Sequence, residues 1–264
     1  MAERAAPVAL TIAGSDPTGG AGLQLDLQIF ALHGVHGMAV PTALTVQTTK
    51  GVRRSNAVFP SVVAEQLAAL LDDIAPSALK LGMLASDDVL LAVANVLDRG
   101  ALPRVVDPVL RASDGSLLLE QRAFGNLIER LIDGAALVTP NLPEAEALTG
   151  ETDPERAARA FLELGARAVL VKGGHADGPD SDDFLATREG AGVWLRGTRS
   201  DVGPVHGTGC ALSASITARL ARGESLEAAA RGAKAYVARA IAGSRALGKG
   251  ARILALGPSA PERE

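Results

Sequence analysis

The sequence has a single cysteine, Cys210, so no disulfide can form within the chain, and its few histidines show no Cys/His spacing suited to zinc. Nothing in it asks for an oxidising compartment, and the cytoplasm is the expected location. It also lacks an excess of basic residues. The net charge is −4 with both signs interspersed, which leaves no broad positive face for a nucleic-acid backbone. Long apolar runs are missing too: none approaches the ~18 residues that a bilayer-spanning helix needs, so no membrane partner is expected. The apolar stretch from Ala5 to Ala13 is preceded by Glu3 and followed by Asp16 and Pro17, with no small-residue cleavage pattern, and it reads as a buried strand. Aromatic residues make up only 3% of the chain while 47% of it is hydrophobic, so the core has to come from aliphatic contacts between many packed elements. At 264 residues, with no repeat and no linker, residues 1–264 read as one domain.

What is present is an alternation of short buried strands and amphipathic helices. Val8 to Ala13 reads as a strand running into Gly14, and Gly22 to Leu32 as a helix with its apolar stripe at Leu23, Leu27, Ile29 and Phe30. The unit recurs. Helices are expected over Ser61 to Ile74 with Ser61 as cap, Asp87 to Leu97 and Pro154 to Leu164; strands over Ala78 to Met83, Arg104 to Val109, Ala135 to Val138 and Ala168 to Val171. A hairpin is expected around Glu189-Gly190, and two closing helices over Cys210 to Ala221 and Glu224 to Leu247. This order predicts an α/β fold with a mainly parallel sheet covered on both faces and ligands beyond the strands' carboxyl ends.

Candidate chemistry gathers at that rim. Gly207, Thr208 and Gly209 lead into a helix at Cys210, so several backbone N–H groups are left for an anion, and the helix dipole is expected to lower the Cys210 thiol pKa. A plain turn with a small buried cysteine is the alternative. Asn141 and Glu144 follow a strand and place an amide and a carboxylate where magnesium and phosphate oxygens could be held, although Asn-x-x-Glu is also an ordinary helix start. Lys172 precedes two glycines at a strand end, as a phosphate-binding ammonium or a surface lysine would. Asp107 ends a strand before Pro108, where it serves either the site or a turn. Gln47 and Met83, taken alone, fit an edge strand and core filling.

Two look-alikes are set aside. Residues 243–250 nearly match the nucleotide loop Gly-x-x-x-x-Gly-Lys-Ser/Thr, but they lack the final hydroxyl and close a helix instead of opening one. The glycines near 207 fail as a dinucleotide fingerprint because Leu212 stands at the third glycine.

The ordered segments LTIAGSDPTGGAGLQLD at 10–26, TALTVQ at 42–47, KLGML at 80–84, VDPV at 106–109, TPNLPEAE at 139–146, VKGGH at 171–175 and HGTGC at 206–210 together resemble the hydroxymethylpyrimidine/phosphomethylpyrimidine kinases of thiamine biosynthesis. That resemblance implies a ribokinase-like three-layer fold, usually a homodimer, that uses ATP and Mg2+ to phosphorylate 4-amino-5-hydroxymethyl-2-methylpyrimidine and then its monophosphate. It also implies roles. Gln47 would hydrogen-bond the aminopyrimidine, with Ala21, Met83 and Val109 lining the pocket. Asn141 and Glu144 would organise magnesium and phosphate, with Asp107 on the same side, and Lys172 would touch the transferred group. Gly207 to Cys210 would form the anion hole, Cys210 standing where many relatives have an aspartate base. The sequence departs from the family pattern at Asp201 to Val205, at Ala211, in the loop from Arg111 to Gly115 and at Ala255-Leu256. A pyridoxal or pyridoxine kinase on the same fold, and a non-catalytic pyrimidine binder, are the alternatives.

Overall fold

The first strand, Val8–Ser15 (β1), is buried on both faces and pairs in parallel with His36–Thr48 (β2) on one side and Ala78–Leu81 (β4) on the other. It belongs to a computed structural model that describes residues 6–98, 102–112, 114–175 and 179–258; Ala5, at the head of the first apolar run, lies outside them. The other sheet strands are Gly51–Ala57 (β3), Arg104–Val106 (β5), Leu137–Val138 (β6), Ala168–Val171 (β7), Asp183–Thr187 (β8) and Val193–Leu195 (β9). Their order is β3-β2-β1-β4-β5-β6-β7-β8-β9. The six central strands run parallel; β3 pairs antiparallel with β2 at one edge, and at the other β8 pairs antiparallel with both β7 and β9. A separate parallel pair joins Val205–His206 (β10) to Arg252–Ile253 (β11).

Helices cover both faces, as the strands' aliphatic side chains require. Gly22–Leu32 (α1), Thr208–Ala221 (α7) and Leu226–Ala242 (α8) pack Leu25, Ile29, Phe30, Ile216 and Tyr236 against one face. The other face receives Pro60–Asp73 (α2), Asp87–Leu97 (α3), Phe124–Leu127 (α4), Leu142–Thr149 (α5) and Pro154–Glu163 (α6), with Val63, Leu67, Leu90 and Phe161 in its core. Each fully buried large aliphatic or aromatic side chain contributes roughly 1.5–3 kcal/mol. A core of this kind is stabilised by number, which is how a chain so poor in aromatics forms one.

Several expected boundaries move for local reasons. The second helix starts at Pro60 with Phe59, not Ser61, in the cap position, because proline's fixed φ and missing N–H suit the first helical residue. The strand expected to Val109 stops at Val106, since Pro108 offers no N–H to a ladder and holds Asp107 extended. The last helix runs from Leu226, capped by the Ser225 hydroxyl, and ends at Ala242 instead of Leu247. Beyond it the chain folds back, with Arg245 and Ile253 exchanging two backbone hydrogen bonds of 2.9 Å, so residues 243–250 form a return turn and not a phosphate loop.

Candidate active site

The carboxyl ends of the central strands open on a cleft of about 1240 Å3, more than a single small ligand fills. All twelve residues singled out in the sequence line it: Ala21, Gln47, Met83, Asp107, Val109, Asn141, Glu144, Lys172, Gly207, Thr208, Gly209 and Cys210. They come from separate loops, and the parallel sheet brings them together.

One cation serves two buried carboxylates. Lys172 Nζ lies 2.8 Å from Asp107 Oδ1 and 3.7 Å from Glu144 Oε2. Asp107 is 1% exposed and also accepts the hydroxyls of Thr139 and Ser213 at 3.1 Å. Burial alone would raise its pKa, but the ammonium groups of Lys172 and Lys80 hold it below the usual range. Glu144 is left as the poorer partner: burial pushes it up to about 7, with Asp107 adding to the rise and Lys172 opposing it. Burial would lower Lys172, yet the two carboxylates hold it well above the ordinary lysine range. The ammonium is therefore firmly charged, and an excess of potential negative charge sits at Glu144.

Asn141 and Glu144 also form the capping box of α5. Glu144 Oε2 accepts the Asn141 N–H and Asn141 Oδ1 accepts the Glu144 N–H, both at 2.8 Å. The ordinary reading of Asn-x-x-Glu thus holds structurally while both residues still face the cleft. Because the folded-state pKa of Glu144 lies above that of the unfolded chain, the folded state binds more protons between about pH 4.5 and 7, and stability falls as pH rises through that window. Glu144→Gln removes this slope. Thermal melts at pH 5 and pH 8 are expected to show the variant gaining on the parent at the higher pH, by at most roughly 3 kcal/mol; an equal difference at both pH values would refute the assignment.

Opposite this cluster stands the mouth of α7, which begins at Thr208 and not at Cys210. Its cap, Gly207, has φ +78, and a Cβ there would lie 1.8 Å from the Gly20 carbonyl, so only glycine fits. Ala211 N–H is the first to close onto Gly207 O, so helix geometry turns the amides of Thr208, Gly209 and Cys210 toward the cleft. Gly209 lies close enough that a Cβ on it would be 3.2 Å from Lys172 Nζ. Cys210 is partly open to the cleft, but the expected lowering of its thiol pKa is not found. Burial pushes the thiol up, and the nearby Asp107 and Asp26 carboxylates add to this against the pull of Lys80 and a hydrogen bond from the Gly22 N–H. At rest the sulfur is a neutral thiol.

The β2–β3 register shifts between Val46 and Gln47, an irregularity that re-aims Gln47 into the cleft. Met83 and Val109 also line the cleft, as does Ala21, which caps α1 in extended conformation. Gln47 has company that residue-by-residue reading missed: its amide lies 3.0 Å from His206 Nε2, itself 2.8 Å from Asp16 Oδ2. A second omission lies beneath the floor. Lys80, fully buried on β4, gives two hydrogen bonds of 2.6 and 2.7 Å to fully buried Asp26 on α1, which also accepts the Thr11 hydroxyl at 2.6 Å. A lysine between Leu79 and Leu81 in a wholly apolar strand was the available signal. Asp16 and His206 stood inside the motifs already quoted, but a lone Asp before proline and a lone His carry no mark of a pair formed across 190 residues.

Among the described residues no three His, Cys, Asp or Glu side chains converge as a metal cage. The donors present still suit a magnesium ion carried largely by phosphate oxygens, which takes only one or two carboxylates from a protein; Glu144, whose raised pKa leaves it without a full counter-charge, fits the part of such a carboxylate.

Comparison with known proteins agrees with this architecture. Residues 16–255 match the family model described as phosphomethylpyrimidine kinase. A hydroxymethylpyrimidine/phosphomethylpyrimidine kinase from Synechococcus elongatus is 42% identical over 259 residues, covering 93% of this chain and 95% of that protein. One from Streptomyces coelicolor is 43% identical, covering 92% of each. Among solved structures, the pyridoxal kinase of Staphylococcus aureus in complex with ADP superposes with a TM-score of 0.87 at 32% identity, over 96% of this chain and 94% of that one. A phosphomethylpyrimidine kinase from Clostridium difficile superposes with a TM-score of 0.78 at 38% identity, over 89% and 99%.

Proposed function

Starting from the fact that this chain belongs to the phosphomethylpyrimidine kinase family, we propose that it transfers the γ-phosphoryl group of Mg-ATP to the hydroxymethyl oxygen of 4-amino-5-hydroxymethyl-2-methylpyrimidine, and then to the phosphate of the resulting monophosphate. The observation that carries this is the meeting, in one cleft, of the Thr208–Cys210 amides with Lys172 on one side and, beside His206 just ahead of them, the amide side chain of Gln47.

Phosphoryl transfer passes through a loose transition state with charge spread over the equatorial oxygens, so positioning and charge neutralisation dominate. In this reading Lys172 and the α7 amides draw in the transferring group. Glu144, with Asn141 and Asp107 beside it, holds the magnesium, which would supply charge neutralisation on the phosphates. Gln47 reads the edge of the pyrimidine, with Ala21, Met83 and Val109 as walls. The segment at 201–205, which departs from the family pattern, contributes Gly203, Pro204 and Val205 to the cleft, whose lining also includes Leu212, Ala238 and Ile241, apolar side chains suited to the adenine. Because the Cys210 thiol is neutral at rest it has no vacancy for a proton: the sulfur orients the alcohol by a hydrogen bond, and the proton leaves the oxygen for a phosphate oxygen or water only late in transfer, when that oxygen is already bonded to phosphorus and strongly acidic. A homodimer working in the cytoplasm belongs to the same reading.

The pyridoxal kinase alternative draws on the higher TM-score of that neighbour, 0.87 against 0.78. The sequence relatives above 40% identity carry the pyrimidine name and favour the first reading. Incubation with Mg-ATP and equal concentrations of the hydroxymethylpyrimidine and pyridoxal is expected to release ADP and to give pyrimidine mono- and diphosphate. A much larger kcat/KM for pyridoxal would overturn the choice of substrate. Pyrimidine binding without ADP release would overturn the assignment as a kinase.

A further inference from the structure

The hydrogen bonds around Gln47 fix more than its position. Asp16 accepts the Thr18 N–H at Oδ1 (2.9 Å) and the Thr18 hydroxyl at Oδ2 (3.0 Å), which marks it as an ionised acceptor. Burial would raise its pKa, but the bonds from His206 and Thr18 bring it below the ordinary value. His206 Nε2, 2.8 Å from Asp16 Oδ2, must therefore carry a proton, whether the ring is neutral or charged. That single proton goes first to Asp16, and Gln47, 3.0 Å from the same nitrogen, can share it in a three-centre bond only through an acceptor atom. As placed, the Gln47 atom there is the amide nitrogen, and two proton-bearing nitrogens cannot bond.

The other side of the amide gives the same answer. Thr45 Oγ1 lies 2.8 Å from the Ser15 carbonyl and 3.2 Å from Gln47 Oε1. A hydroxyl has one proton, and the carbonyl, which can only accept, takes it at the shorter distance. Thr45 then has only lone pairs to offer Gln47, which must turn an N–H toward it. Both contacts are satisfied when the amide is rotated by half a turn, its oxygen on His206 and its nitrogen on Thr45, and amide oxygen and nitrogen are told apart only by such networks.

We infer that Asp16 and His206 are positioning residues that, with Thr45, lock the Gln47 amide in one of its two orientations and so set which hydrogen-bonding edge of a heteroaromatic substrate the cleft accepts. This deepens the pyrimidine kinase reading and rests on it. One N–H and one carbonyl lone pair of Gln47 remain for the ligand, a donor beside an acceptor. That pair complements a 4-aminopyrimidine edge, where a ring nitrogen accepts and the exocyclic amine donates, much as glutamine pairs with the equivalent edge of adenine. A 4-oxo pyrimidine with hydrogen on the ring nitrogen presents the opposite order and would need the amide turned back, which the two protons forbid. The network is held from outside the sheet, because His206 lies on β10 and is paired to β11.

The test is calorimetric binding, without nucleotide, of 4-amino-5-hydroxymethyl-2-methylpyrimidine and its 4-oxo analogue. The parent protein is expected to prefer the amino compound by roughly tenfold to a hundredfold, the discrimination of one good bidentate pair. His206→Phe, which has no donor, is expected to narrow the ratio to a few-fold, and His206→Gln, whose amide nitrogen can take the place of the ring nitrogen, to restore most of it. Thr45→Val removes the other anchor on an exposed strand and is expected to narrow the ratio as well, so the outcome does not hang on one variant's folding. A purely structural role would change both affinities together and leave their ratio alone. Full discrimination in both His206→Phe and Thr45→Val would overturn the inference while leaving the kinase assignment standing. Failure of the parent to bind either pyrimidine would overturn the assignment and the inference with it.

Discussion

Lys172→Met is expected to lower kcat/KM by about two to three orders of magnitude, the usual loss when one preorganised charge that meets the transition state is removed. It is also expected to lower the melting temperature. The ammonium lies 2.8 Å from Asp107, a carboxylate 1% exposed whose other partners are two hydroxyls, and removing one member of a buried ion pair costs about 3–5 kcal/mol. The two losses separate in the double variant Lys172→Met/Asp107→Asn, which no longer leaves the Asp107 charge unpaired, while Glu144, already raised to about 7, can take up a proton. Calorimetric melts are expected to recover much of the stability while turnover stays low. Should turnover return with stability, the lysine is a structural counter-ion and the transferring phosphoryl group is neutralised elsewhere.

The second large effect is expected at Cys210. Cys210→Ala removes the sulfur that orients the attacking alcohol but keeps the amides at the mouth of α7, so kcat should fall by about a hundredfold while KM changes only a few-fold. The raised thiol pKa adds a chemical expectation: at neutral pH iodoacetamide should alkylate Cys210 slowly, well below the rate of an activated cysteine, because the thiolate is scarce. Steady-state kinetics of the alanine variant decide the matter. An unchanged kcat would leave the sulfur as packing and assign the site's work to Lys172 and the backbone.

The thiol shows where sequence reasoning reached its limit. That Cys210 sits in the first turn of a helix behind two glycines was legible from HGTGC, and the fold brings that turn to the cleft. The sign of its pKa shift was not, because that depends on enclosure and on Asp107 and Asp26, which arrive from other strands and helices. Likewise β1 and α1 could be read from an apolar run and a 3.6-residue stripe. The far half of β2 was read only as an edge strand around Gln47, and β3 was not read at all: their Thr, Gln, Arg, Ser and Asn residues are strand-forming largely because each is the other's partner. Asn141 and Glu144 were legible twice over, as a capping box and as cleft residues, and the fold uses them as both. The Lys80–Asp26 pair lies at the opposite extreme. Each half, read alone, belongs on a surface, and only the packing of α1 on the sheet makes them a buried unit.

The small β10–β11 pair ties His206 to residues that are translated after both closing helices. On the ribosome, then, the sheet, the lysine and its two carboxylates can be in place while the arm that steadies Gln47 still lacks its backing strand. On the inference drawn for Gln47, the contacts that govern substrate choice are therefore completed last in chain order, after those around Lys172.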